Sequence, residues 1–238
     1  MILFPAIDLY QGKAVRLTKG DYSRMTVYDE DTARVAAAFR EAGARAIHIV
    51  DLAAATEGSP PDLETVLAIK KSSGAYCELG GGIRSFEVIE RCLSAGVDRV
   101  ILGTAAVSDR ALLKKAVDMF GERIAVGADL RDGLVAVKGW LETTALRGET
   151  FLEELKALGV KTVICTDISR DGAMRGTNLQ LYKKLASDPA LRVTASGGVS
   201  TLADIRALKE MGLAAAIIGK AYYEGAIDLK EAIGVAEC

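Results

Sequence analysis

The sequence predicts a closed (β/α)8 TIM barrel built from two duplicated (β/α)4 halves, and three observations predict it. Apolar runs of strand length alternate with helical patterns along the whole chain. Eight such strand–helix units fit into 238 residues with no linker or low-complexity segment, which suits one α/β barrel. The chain also repeats itself. Gly81-Gly82-Ile83-Arg84-Ser85 and Gly197-Gly198-Val199-Ser200-Thr201 are spaced by 116 residues (Gly81 to Gly197). The same spacing relates Ile101-Leu102-Gly103-Thr104-Ala105 to Ile217-Ile218-Gly219-Lys220-Ala221, Gly96 to Gly212, Asp51 to Asp167 and Gly43 to Gly159. A gapless repeat of nearly half the chain is the signature of a duplicated unit. Near the start the spacing becomes 121 (Asp8 to Asp129), and Gly12 pairs with Gly133. The extra length of the first half is placed in a polar loop around Lys19–Glu30. An open, doubly wound sheet is the competing architecture, but it does not predict a four-plus-four duplication with matched turns. One domain is expected.

Each element follows from its pattern. Strand one is Ile2–Asp8, and Gly12 leads to a short extended excursion at Lys13–Leu17. Thr32–Ala42 has amphipathic helical spacing and is stopped by Gly43. Strand two is Ala46–Asp51, Pro60-Pro61-Asp62 opens helix two, and strand three is Ala75–Leu79. Helix three, Phe86–Ala95, closes at Gly96; strand four is Arg99–Leu102 and helix four Arg110–Phe120. In the second half, strand five is Arg123–Asp129 with an extension at Leu134–Val137, and helix five is Thr150–Leu158, closed by Gly159. Strand six is Thr162–Thr166, helix six Leu179–Ala186 and strand seven Arg192–Ala195. Helix seven, Leu202–Met211, closes at Gly212; strand eight is Ala214–Ile218 and the last helix Asp228–Val235. The Val/Ile/Leu-rich strands fit a parallel sheet covered on both faces.

Composition narrows the function classes. Half the residues are hydrophobic, so a large core is available, and the net charge of −2 with no basic run argues against a nucleic-acid surface. The short apolar run before Asp8 does not make a signal peptide, and no uninterrupted apolar stretch of about 18 residues would span a membrane. A cytoplasmic protein is expected. Cys77, Cys92, Cys165 and Cys238 form no close pair and have no histidine cluster, so zinc is not expected. The single histidine, His48, lies inside strand two and reads as a packed, hydrogen-bonded core residue; it also excludes any mechanism needing two histidines.

In a barrel of this class the site forms at the C-terminal strand ends and the loops after them. Glycine turns follow strands three and four (Gly81, Gly82; Gly103, Thr104) and strands seven and eight (Ser196, Gly197, Gly198; Gly219, Lys220). Glycine lets backbone N–H groups approach a ligand, and a helix start favours an anion. These two pairs face each other across the mouth, so the expected partner is a small molecule with a phosphate at each end. The plain alternative is a set of tight turns. Asp8 and Asp129 end strands one and five, also opposed, and suit an acid and a base held apart across a substrate. Asp51 and Asp167 read as loop-holding aspartates. Loop six, Thr166-Asp167-Ile168-Ser169-Arg170-Asp171-Gly172 and on through Gly176-Thr177-Asn178, adds a second carboxylate and reads as a closing loop. Trp140 either stacks on a flat heterocycle or packs on the rim. Arg16 and Arg84 are candidate anchors. No lysine ends a strand at the mouth, which disfavours an imine-forming aldolase, and there is no dinucleotide fingerprint and no metal set. Cofactor-free proton transfer is the expected chemistry.

Ala6-Ile7-Asp8-Leu9, Gly12-Lys13-Ala14-Val15-Arg16-Leu17, Gly80-Gly81-Gly82-Ile83-Arg84, Gly139-Trp140, the loop-six run and Ser196-Gly197-Gly198-Val199-Ser200 together resemble one family. It is the histidine-biosynthesis isomerases acting on phosphoribosylformimino-aminoimidazole-carboxamide ribotide (ProFAR). The resemblance covers essentially the whole chain. It implies an Amadori rearrangement of an aminoaldose with two phosphates, with Asp8 as the base at ribose carbon two and Asp129 as the acid that opens the furanose. Asp171 matches a residue given the acid role in some relatives. The resemblance further implies that Trp140 stacks on the aminoimidazole and that Arg16 and Arg84 contact the ligand. Gly176, Asp167, Thr166 and Gly172 fall in the loop-six motif. The family's Gly-Pro-Asn is Gly176-Thr177-Asn178 here. Relatives that also isomerise phosphoribosyl anthranilate carry arginine where this chain has Lys138, so a single substrate is expected. The sister cyclase carries lysine in place of Arg16 and lacks Gly139-Trp140. A barrel that only binds a phosphosugar is the non-enzymatic alternative. A monomer is expected.

Overall fold

The computed structural model describes residues 1–18 and 21–237. The strands are β1 (Ile2–Tyr10), β2 (Lys13–Thr18), β3 (Asp21–Asp29), β4 (Ala46–Asp51), β5 (Tyr76–Gly80), β6 (Arg99–Leu102), β7 (Ile124–Arg131), β8 (Leu134–Val137), β9 (Glu142–Arg147), β10 (Thr162–Asp167), β11 (Arg192–Ser196) and β12 (Ala215–Ile218). The helices are α1 (Thr32–Glu41), α2 (Leu52–Glu57), α3 (Leu63–Ser73), α4 (Phe86–Ala95), α5 (Thr104–Ser108), α6 (Arg110–Phe120), α7 (Gly148–Ala157), α8 (Leu179–Ala186), α9 (Leu202–Glu210), α10 (Lys220–Tyr223) and α11 (Leu229–Glu237).

Eight parallel strands close on themselves in the order β1-β4-β5-β6-β7-β10-β11-β12, with β12 returning to β1. This is a (β/α)8 barrel. Alternation along each strand sorts the core into two parts. Outward residues such as Leu3, Ile7, Ile47, Ile49 and Leu79 pack under the helices in the larger cluster. Inward residues Phe4, Ala6, Ala46, Ile101, Ala125, Ile164, Ala215 and Ile217 fill the barrel. Half of those inward residues are alanine, and a barrel floor of small side chains leaves room above it at the mouth.

Helix starts follow the sequence signals. Asp31, Asp62, Ser85 and Asn178 each accept an N–H in the first turn of α1, α3, α4 and α8, and Thr201 and Asp204 form a reciprocal capping box on α9. Residues related by the two spacings adopt matching conformations. Gln11-Gly12 (φ 51° and 77°) and Asp132-Gly133 (φ 51° and 79°) make equivalent hairpin turns after β1 and β7. Gly103 (φ −97°, ψ −99°) matches Gly219 (φ −114°, ψ −102°).

Several expectations need correcting. The polar stretch read as a loop around Lys19–Glu30 contains β3, paired antiparallel to β2; Lys19 and Gly20 lie outside the described residues. Glu142–Arg147, not assigned to any element, is β9 and pairs with β8. Both strands are largely exposed and polar, so their pairing rather than an apolar pattern makes them strands. The short helices α2, α5 and α10 were also not anticipated. Cys77, Cys92 and Cys165 are free and buried, and Cys238 lies outside the described residues. Among the described residues no helix is long and apolar enough to cross a membrane.

Candidate active site

Strand alternation decides which side chains reach the mouth. The inward phase ends on Asp8 (β1), Val50 (β4), Gly80 (β5), Gly103 (after β6), Asp129 (β7), Thr166 (β10), Ser196 (β11) and Gly219 (after β12). All eight line one cavity, together with Arg16, Gly81, Gly82, Arg84, Thr104, Trp140, Asp171, Gly172, Gly197, Gly198 and Lys220. Two residues of the loop-six motif, Asp167 and Gly176, do not line it. Asp167 accepts from Ser169 N (2.9 Å) and Oγ (2.6 Å) on one carboxylate oxygen and from Asn178 Nδ2 (2.6 Å) on the other, so loop six uses both oxygens. Gly176 supplies the carbonyl that packs against Gly198. Thr177 donates its hydroxyl to Gly197 O (2.8 Å) and so ties loop six to the turn after β11.

The paired glycine turns are built alike. Gly81 and Gly82 have φ of 93° and 69°, Gly197 and Gly198 91° and 81°. A Cβ on Gly81 would lie 2.1 Å from Asp51 O, and one on Gly197 2.6 Å from Asp167 O. Among the described residues, the N–H groups of Gly82, Gly103, Gly198 and Gly219 find no acceptor within the chain, so each turn keeps donors for an anion. Replacing Gly81 by alanine combines a left-handed backbone with a backbone clash. Destabilisation by more than about 2 kcal/mol is expected in denaturant unfolding. An unchanged midpoint would show that the turn tolerates a side chain.

The two inner turns differ. Nothing lies within 4 Å of a Cβ on Gly103, but the position of a Gly219 Cβ is 2.7 Å from the Arg16 guanidinium. Glycine at 219 therefore makes room for Arg16. That guanidinium donates to Asp8 Oδ2 and to Ala6 O, both at 2.8 Å, and lies over the Tyr223 ring at 5.3 Å. The Tyr223 hydroxyl donates to the same Ala6 carbonyl (3.0 Å). Burial works against the Arg16 charge, but Asp8, Tyr223 and Asp171 outweigh it and raise its pKa.

The two other mouth carboxyls are pushed upward. Burial raises Asp129, while hydrogen bonds from the Thr166 hydroxyl and the Trp140 indole and the nearby His48 pull it back. Trp140 thus reaches into the cavity from a left-handed backbone (φ 71°). Burial also raises Asp171, to about 6; Arg16 opposes this, and Asp8 and Asp129 add to it. One site therefore holds a carboxylate bonded to a guanidinium and two carboxyls with raised affinity for a proton, which is the equipment for acid and base chemistry on one ligand.

Further side chains complete the mouth, and of these Tyr22 was not anticipated. Lys138, after β8, and Lys220, the first residue of α10, both line the cavity; Lys138 Nζ pairs with Glu142 (2.7 Å) and Lys220 Nζ bonds Gly172 O (3.3 Å). Tyr22 of β3 lines it as well, and the Arg84 side chain bonds Ala55 O (2.6 Å) at the rim. His48 lines the cavity too, bonded to Glu78 at 2.6 Å. Its position in phase with Ala46 was the signal that its ring faces inward. Among the described residues no group of three or more His, Cys, Asp or Glu could hold a metal ion.

Comparison with known proteins agrees with this architecture. The family described as histidine biosynthesis protein matches residues 2–228. A Desulfitobacterium hafniense (strain Y51) protein is 48% identical over 99% of this chain and 97% of its own length. A Syntrophomonas wolfei protein is 46% identical over 100% and 99%, and one from Ruminiclostridium cellulolyticum 46% identical over 98% and 99%. Each is named 1-(5-phosphoribosyl)-5-((5-phosphoribosylamino)methylideneamino) imidazole-4-carboxamide isomerase. With a match over nearly its full length and relatives this similar, the chain belongs to the histidine biosynthesis protein family.

Proposed function

We propose that the chain catalyses the Amadori rearrangement of the aminoaldose ProFAR to its aminoketose, PRFAR, with Asp8 as base and Asp171 as acid. The isomerase class follows from relatives 46–48% identical over nearly the whole chain, and the chain is an enzyme of histidine biosynthesis. The observation that carries the site reading is positional. Asp8, Asp129 and Asp171 line the cavity between two opposed sets of glycine turns with free N–H groups, which suits a substrate anchored by a phosphate at each end.

In the first step the acid protonates the ring oxygen, the C1–O bond breaks, and the substituent nitrogen supplies the electrons that form a C1=N iminium. Asp8 then removes the proton from C2. The C–H pair becomes the C1–C2 double bond and neutralises the nitrogen. The enol hydroxyl proton is lost and C1 gains a proton, leaving a ketone at C2. Atoms and electrons balance without an oxidant. Arg16 holds Asp8 in place through its 2.8 Å bond. Asp171, raised to about 6, supports the acid role better than Asp129, whose carboxyl is engaged by Trp140 and Thr166. Asp129 then orients Trp140 for stacking on the heterocycle. The reading keeps the expectations of a cytoplasmic monomer and of catalysis without a cofactor.

Two features favour the isomerase over the sister cyclase, namely Arg16 bonded to Asp8 and Trp140 lining the cavity with Asp129. The test offers the purified protein the aminoaldose ribotide, with phosphoribosyl anthranilate in parallel. Turnover of the ribotide alone is expected. Turnover of both would overturn the single-substrate reading of Lys138. Ammonia-dependent cyclisation, or binding without turnover, would overturn the isomerase.

A further inference from the structure

Ala6, His48, Glu78 and Arg99 are register partners on four consecutive barrel strands, β1, β4, β5 and β6. Their side chains project on the same face. His48 Nδ1 lies 2.6 Å from Glu78 Oε1, and Arg99 donates to Glu78 Oε2 from Nε (2.9 Å) and Nη2. The Arg99 guanidinium also lies over the Phe4 ring (5.8 Å) and the Tyr76 ring (5.5 Å). Glu78 is 0% exposed, and a carboxylate carried that far from water needs a reason. Burial alone would raise its pKa; His48 and Arg99 more than offset this and hold it low.

The arrangement matches that of a histidine oriented by a carboxylate behind it. Glu78 accepts the Nδ1 proton, so the ring is fixed in one tautomer and one rotation. Nε2 remains as the free polar atom of a ring that lines the cavity. Asp129 on β7, Asp171 in loop six, Asp8 and Arg16 all line the same cavity. His48 therefore stands among the reacting groups although the assigned acid and base do not need it.

We infer that His48 presents Nε2 to the reacting sugar as a hydrogen-bonding group, and that Glu78, braced by Arg99, is the positioning residue that keeps it there. This deepens the isomerase reading and rests on it. The function is orientation of the open-chain sugar between Asp8 and Asp171, with no proton transfer assigned to the imidazole.

The chain has one histidine, so isotopic labelling reports on this ring alone. Nitrogen NMR of 15N-histidine protein is expected to show the proton on Nδ1 in the unliganded protein and a change at Nε2 on adding the aminoketose. His48→Gln and the charge-balanced pair Glu78→Gln with Arg99→Gln are then assayed. The double variant removes both buried charges together, so it avoids stranding Arg99. A fall in kcat of about tenfold or more is expected in each, with KM changing less, as for loss of an orienting carboxylate. In the double variant the Nδ1 preference should also disappear. Wild-type turnover tests the isomerase separately. If the wild type turns over while both variants keep kcat within about twofold, or if Nε2 is unmoved by the aminoketose, the inference is overturned and the isomerase stands.

Discussion

Asp8→Asn lowers kcat for ribotide isomerisation by roughly 10²–10⁴-fold while ligand binding persists, the range expected for loss of a positioned general base. The amide keeps the shape of the carboxylate and can still accept from Arg16, which bonds Asp8 Oδ2 at 2.8 Å in the native site. It cannot take a proton from carbon. Both sets of turn N–H groups are untouched, so binding of a doubly phosphorylated ligand is retained. Unfolding of the variant must be measured beside its activity, because Arg16 is left with a neutral partner and a partly buried pair costs stability when one charge is removed. Near-normal turnover by a folded Asp8→Asn would remove Asp8 from the base role.

Asp171→Asn changes the pH dependence as well as the rate. A general acid must carry its proton, and burial brings Asp171 to about 6. Its protonated fraction falls as pH rises through that value, so kcat/KM of the wild type should decline on the alkaline side with an apparent pKa near 6. Substrate phosphates also titrate near 6 and contribute to the same limb, so the variant is the control. In Asp171→Asn the Asp171 part of the limb disappears and the rate falls by roughly 10²–10⁴-fold. Asp129→Asn should keep the limb and lose less, because its carboxyl is engaged by Thr166 and Trp140. The opposite pattern, with the limb lost only in Asp129→Asn, would return the acid role to Asp129.

What could be read in the sequence depended on whether the signal was local. The barrel strands announce themselves as short Val/Ile/Leu-rich runs, and counting in twos along them puts Asp8, Asp129, Thr166 and Ser196 at the mouth. Helix ends were legible because Gly43, Gly96, Gly159 and Gly212 stop them with a left-handed backbone. Strands β3 and β9 were not, because they are polar and exist through pairing with β2 and β8. Gly219 illustrates a deeper limit. Its place in the repeat suggested the same task as Gly103, but the guanidinium of Arg16, more than two hundred residues away in the chain, occupies the space a side chain would need. Asp167 holds loop six, as its reading as a loop-holding aspartate expected, but its partners Ser169 and Asn178 could not be named from the sequence. His48 was read correctly as hydrogen-bonded, yet nothing local indicated that its partner would be a fully buried carboxylate on the next strand.

The chemistry at C2 of the ribose is the most direct test of the account. With the aminoaldose deuterated at C2, base removal predicts a primary isotope effect on kcat in the wild type and release of deuterium to solvent water as the aminoketose forms. Quantitative transfer of the deuterium from C2 to C1 with no solvent exchange would mean a hydride shift and contradict an Asp8-centred proton transfer, and no ketose at all would contradict the isomerase.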